Sequence, residues 1–165
     1  MNIDDFVKQF PQKIKEIQEF TKSNDLKDII GVEATNHFKE SFQNEGFTDK
    51  NLEPWKDVKR RDPLSPWYGH SGQTGKFSQA RTTAKILTGE TRELQNSITY
   101  KYLPNGTRVT SDKPYAGVHQ FGLKAKVYGK KAFTMTARPF MGRSEVLMKK
   151  INDKIVRELK KIITK

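Results

Sequence analysis

Pro114-Tyr115-Ala116-Gly117-Val118-His119-Gln120-Phe121-Gly122 holds a helix-starting proline and a helix-stopping glycine at its two ends. Proline presets φ and lacks an N–H, which suits a first helical turn. Asp112, just ahead, is the candidate cap, and Gly122 suits a left-handed residue past the last turn. Tyr115, Val118 and Phe121, with Ala116, fall on one face. The stretch therefore predicts two turns of helix with a packed aromatic side, set between β-rich segments.

On its C-terminal side, residues 123–128 and 132–137 alternate apolar and polar and read as strands around a turn at Gly129-Lys130-Lys131. On its N-terminal side, Ile98, Tyr100 and Tyr102 alternate with Thr99 and Lys101. Pro104-Asn105-Gly106 then supplies a hairpin turn, because Asn-Gly tolerates positive φ, and residues 107–111 return. Four strands in two hairpins make, most simply, one small antiparallel sheet. Ahead of it, Thr88 is a candidate cap for a short helix over 90–96, with Glu90 favourable in its first turn. Behind it, Ser144 caps a final helix to about residue 163. Leu147, Ile151, Ile155, Leu159 and Ile162 form its apolar stripe, and a solvated basic face lies opposite.

The N-terminus reads as two helices. Ile3, Phe6, Val7, Phe10, Ile14, Ile17 and Phe20 keep helical spacing over residues 3–22, and Pro11 predicts a kink or a second start. Residues 24–44 carry Asn24 and Asp25 as cap candidates. Leu26, Ile29, Ile30, Ala34, His37, Phe38 and Phe42 are in phase there. A histidine so placed is a core or boundary residue rather than a ligand.

Residues 46–85 have no sustained period and are rich in Pro, Gly and charge, so they read as a long irregular loop. Trp55 is its expected anchor on the folded body. Trp67, Tyr68, Lys76 and Phe77 mark an aromatic, glycine-rich run with two readings: a flexible, sticky loop, or an interface arm that orders only against a neighbouring subunit or the next ring of an assembly. A phosphate-binding loop is excluded, because Gly75-Lys76 is followed by Phe77, Gly69 lies one residue too early and no apolar strand precedes it. The organisation expected is one domain over 1–165: helices to 45, loop 46–85, sheet and short helices 86–143, and a C-terminal helix 144–165.

The 165 residues carry a formal net charge of +12 and no cysteine, which excludes disulfides, thiol catalysis and Cys-ligated zinc. The charge is uneven: −3 over residues 1–45, from 6 Lys/Arg and 9 Asp/Glu, and positive beyond. A nucleic-acid surface, a docking surface for an acidic protein and solvated loops compete to explain it. The acidic N-terminus does not read as a signal peptide, and no run is apolar enough for a membrane span. A protein made and used inside a cell, without membrane contact, is expected. His37, His70 and His119 have no metal-pair spacing, no Gly-x-Ser-x-Gly elbow occurs, and carboxylates are sparse near the strands. No enzyme and no cofactor are expected. His119 instead joins Gln120 and Arg138 in an expected hydrogen-bonded cluster, tying the short helix to the turn at 138–140.

Four blocks in fixed order resemble the phage virion morphogenesis family, the Mu-like tail completion proteins of long-tailed phages and prophages. The first is Trp55 in its polar loop. The second is Leu87-Thr88-Gly89, then Leu94, Ser97 and Ile98, with extra residues between Gly89 and Leu94. The third is Tyr115, Ala116, His119, Gln120, Phe121 and Gly122. The fourth runs from Ala137 through Arg138, Pro139 and Phe140 to Gly142. The resemblance implies a structural virion protein, made in the bacterial host's cytoplasm. It would finish the tail or join it to the head as a homo-oligomeric ring, sixfold in related neck proteins. Its implied partners are copies of itself and other tail or head–tail proteins. A basic nucleic-acid-binding module, contacting DNA without specificity, is the alternative reading.

Overall fold

The computed structural model describes residues 3–71, 75–127, 129 and 131–164, apart from the side chains of Asp5, Phe6 and Val127. Gly72-Gln73-Thr74 of the glycine-rich arm, Tyr128 and Lys130 of the last hairpin, and Phe6 of the first apolar stripe therefore lie outside the description.

Helices α1 (Ile3–Lys22) and α2 (Asn24–Asn44) are separated by Ser23. Ser23 itself, not Asn24 or Asp25, is the cap: its Oγ accepts from the Leu26 N–H at 3.4 Å. Asp25 falls inside the first turn, where a negative charge suits the helix dipole. Helix α1 runs through Pro11 without a second start. Among the described side chains, the apolar ones that are partly buried lie in its C-terminal half. Ile17 and Phe20 are half-buried, while Ile3, Val7, Phe10 and Ile14 are exposed. Among the described side chains of this helix the buried one is Lys13, whose Nζ donates to the Ile162 carbonyl at the far end of the chain, 3.0 Å away.

The expected irregular loop contains structure. β1 (Gly46–Thr48) and β2 (Leu52–Pro54) pair antiparallel. A single 3-10 turn follows at Lys59–Arg61, and α3 covers Gln79–Thr83. Short α4 (Glu93–Asn96) precedes the hairpin of β3 (Ile98–Leu103) and β4 (Gly106–Ser111), which turns at Pro104-Asn105: Gly106 already pairs with Leu103, and Asn105 does not take the positive φ expected of it. α5 (Ala116–Phe121), β5 (Lys124–Val127), β6 (Lys131–Thr134) and α6 (Glu145–Thr164) complete the order. Ser144 caps α6, its Oγ accepting from the Leu147 N–H at 3.1 Å.

The four strands of the two expected hairpins do not form one sheet. With β1–β2 there are three separate two-stranded sheets among the described residues. Alternation dictates which segments become strands. Which hairpins then meet depends on tertiary packing. β3–β4 lies on α2, where Gly31 leaves room for the Tyr100 ring; a Cβ there would sit 2.3 Å from it. The Tyr100 and Tyr102 hydroxyls both donate to Asp28, which holds that carboxyl below its usual pKa and pushes Tyr102 up to about 12. β5–β6 carries lysines on both strands, which discourages further edge pairing.

Three local expectations also change. α5 starts at Ala116, with Pro114 and Tyr115 still in a turn. Asp112 does not cap it; the Ser111 Oγ accepts from Lys113 N–H instead. Its aromatic side is packed only in part: Phe121 is 69% exposed, Tyr115 meets the His119 ring, and Ala116 is the buried residue. Thr88 does not cap α4, because its hydroxyl donates back to the Lys85 carbonyl at 2.7 Å. α4 begins only after Arg92, which is left-handed at φ 55. The core joins Phe38 and Phe42 of α2 to Phe47, Trp55, Ile86, Leu94, Ile98, Phe140, Leu147 and Ile151.

Candidate functional site

The segments singled out by their sequence meet at one junction. Trp55 follows β2, and its indole stacks edge-on against Phe42, ring centroids 5.7 Å apart. Phe42 packs on Phe140 at 5.2 Å. Trp55 Nε1–H donates to the Pro139 carbonyl at 2.7 Å. In the opposite direction the buried Arg138 guanidinium donates to the Lys56 carbonyl at 2.9 Å and to that of Asp57 at 3.3 Å. A planar fork suits such paired carbonyls better than an ammonium would.

Gln120 sews α5 to the same turn. Its Oε1 accepts from the Phe140 and Met141 N–H groups at 2.9 and 3.1 Å, and its Nε2 donates to the Met141 carbonyl at 2.7 Å. Of the expected His119–Gln120–Arg138 cluster, Gln120 makes the side-chain bonds that join the short helix to the turn, while the Arg138 guanidinium bonds to the segment after Trp55. His119 contributes its carbonyl, which accepts from Arg138 N–H at 2.7 Å. Gly122 must be glycine on two counts. It sits at φ 66, and a Cβ would lie 2.9 Å from the Ala137 nitrogen and the Met135 carbonyl oxygen.

Beside the junction is a cleft of about 430 Å³. Leu87, Thr88, Gly89 and Leu94 line one wall, Tyr115 and His119 another, and Arg138 a third. Gly89 is left-handed at φ 58 with open space around it, so its conformation rather than its size requires glycine. Below the cleft, Ile98 is fully buried and Ser97 shares a 2.7 Å hydroxyl contact with Ser111. Gly142 lies against Phe47. The His119 ring meets Tyr115 edge-on at 6.0 Å, and its buried Nδ1 has no hydrogen-bond partner. Burial, then the nearby Arg138 charge, lowers its pKa. The ring is therefore neutral at neutral pH. Glu93 in the same cleft accepts from Tyr115 at 3.4 Å and pairs with Lys113. The oriented histidine–carboxylate pair that acid–base chemistry uses is not present among the described residues, nor is a group of three metal-ligating side chains.

The aromatic arm stands apart from this junction. Trp67 meets His70 edge-on at 5.0 Å, and Tyr68 meets Phe77 at 6.0 Å over the bare Gly69. Ser71 N–H donates to the Lys76 carbonyl, and Ser78 N–H to that of Gly69. The described residues of the arm thus hydrogen-bond back on one another. Its outer surface stays apolar: Trp67 is 51% exposed and Phe77 61%.

Sequence reasoning missed what ties this segment down. Glu45 ends α2 left-handed at φ 54. Its carboxylate pairs with Arg61 and accepts from Ile86 N–H at 2.6 Å. Burial pushes the Glu45 pKa up, but those hydrogen bonds outweigh it and the net shift is downward. Arg60 donates to the carbonyls of Arg81, Ala84 and Lys85, and Arg61 to that of Ala84. Burial lowers Arg60 to about 10, so it keeps its charge. The only sequence trace of this arrangement is the Arg60-Arg61 pair, which reads equally as solvated charge.

No curated protein and no solved structure matches the chain. No helix among the described residues is long and apolar enough to cross a membrane. The phage virion morphogenesis family matches over residues 58–160, a segment that starts just past Trp55 and takes in the three later blocks, all of which meet in the junction above. That span is well over half of the chain, and the protein belongs to the phage virion morphogenesis family.

Proposed function

We propose that the chain is a structural tail-completion protein that assembles as a homo-oligomeric ring at the tail end and prepares the tail to join the head. The observation that carries this reading is where the apolar surface lies. Most of the family's block residues are spent on an internal junction, while Ile3, Val7 and Phe10 on α1, Leu64, Trp67 and Phe77 in the segment after β2, and the block residue Phe121 on α5 are left exposed. Different patches on one chain suit head-to-tail contacts, which close into rings when the rotation between subunits allows. Contacts that are weak singly add up around such a ring.

In this reading His119 and Arg138 serve packing and positioning, not turnover. Native mass spectrometry of the purified protein, alone and mixed with its tail tubes, tests the proposal. A closed oligomer, formed alone or on the tubes, is expected. A species that stays monomeric in both settings would contradict it.

A further inference from the structure

Between Asp112 and Glu145 the chain has no carboxylate but seven cations. Two of these have partners inside the fold. Lys113 pairs with Glu93, and Arg138 is buried against the Lys56 and Asp57 carbonyls. Lys124, Lys126 and Lys131 sit on the β5–β6 ribbon and are exposed, with no ion pair among the described residues. Among the described residues the ribbon pairs with no other strand. Cross-strand register puts Lys124 and Lys126 on one face, opposite Thr134 and Ala132, and Lys131 beside Val127 on the other.

One lysine on each edge would suffice to discourage strand addition. A ribbon with cations on both strands and both faces, and no counter-charge, exceeds that need. We propose that β5–β6 is a sequence-independent contact for the phosphate backbone of duplex DNA, made by Lys124, Lys126 and Lys131. A two-stranded ribbon fits the major groove. Residue type separates DNA from an acidic protein as the occupant. Protein interfaces favour arginine and are depleted in lysine, whereas a compact ammonium serves phosphates as a point charge.

The test is fluorescence anisotropy of a short mixed-sequence duplex over a series of salt concentrations. Lys124→Gln/Lys126→Gln/Lys131→Gln is compared with a charge-matched control on α6, Lys149→Gln/Arg157→Gln/Lys160→Gln. Each lost phosphate contact removes about 0.9 from the slope of log affinity against log salt. The ribbon triple should lower the slope by roughly 2 to 3, while the control changes it by less than about 1. The ribbon lysines are exposed, so an unchanged urea midpoint should verify the fold of the triple. Wild-type protein that does not bind the duplex, or equal losses in both triples, would overturn the proposal. So would a ribbon triple that keeps DNA affinity but loses self-association or tail-tube binding, which would make the ribbon a protein contact.

Discussion

Trp55 and Arg138 hold each other's chain segments: the indole N–H of one donates to the carbonyl next to the other, and the guanidinium donates to the carbonyl next to the indole. This reciprocal pair closes the segment after β2 against the turn before α6 across more than eighty residues. Trp55→Phe keeps an aromatic ring against Phe42 but leaves the Pro139 carbonyl unpaired. The expected loss is about 1–3 kcal/mol of stability. Urea unfolding checks it, and an unchanged midpoint would mean that the bond contributes nothing.

Gln120 satisfies three backbone groups with one amide. Gln120→Leu should cost about 2 kcal/mol or more, since two N–H groups and a carbonyl lose their partner. Gln120→Glu retains the two acceptor contacts and should cost less. Thermal unfolding of both variants gives the order, and equal losses would contradict the assigned geometry.

His119 is buried with a lowered pKa, so the unfolded chain takes up its proton first on acidification. The unfolded state then binds more protons between the lowered folded value and the ordinary value near 6.5. Stability should be flat above that value and fall as pH drops through this window. In His119→Gln the fall in this window should be smaller. Urea midpoints measured from neutral pH downward provide the check, and identical profiles would remove His119 from the account.

Glu45 has a lowered folded pKa, so its contribution is present above the ordinary carboxylate value of 4.5 and is lost as pH falls through the folded value. Glu45→Gln should loosen residues 59–85 more than the rest of the chain, because Arg61 and the Ile86 N–H lose a charged partner. Limited trypsin digestion reads this out as faster cleavage after Lys59, Arg60, Lys76 or Arg81. Cleavage at wild-type rates would show that the segment is held by other contacts.

These residues mark where the sequence was legible. The long helices and the 98–111 hairpin follow from periodicity and the Pro-Asn-Gly run, both local signals, although the turn falls on Pro104-Asn105 rather than on a positive-φ Asn-Gly pair. Trp55, Gln120 and Arg138 stood out through the order of four blocks, and they do meet. The single four-stranded sheet was an over-reading, since alternation in β3 and β5 carries no information about whether their hairpins touch. Glu45 was invisible because a left-handed glutamate is an unusual helix end, and its partners Arg61 and Ile86 are distant in sequence. The caps moved for a local reason: Thr88 bonds backward to Lys85, and Ser23 displaced its two neighbours.

The proposed role is tested most directly by electron microscopy of particles from induced phage or prophage lacking this gene. The account predicts filled heads and separate tails that fail to join, with whole virions restored when the gene is supplied in trans. Normal yields of joined virions without the gene would contradict it.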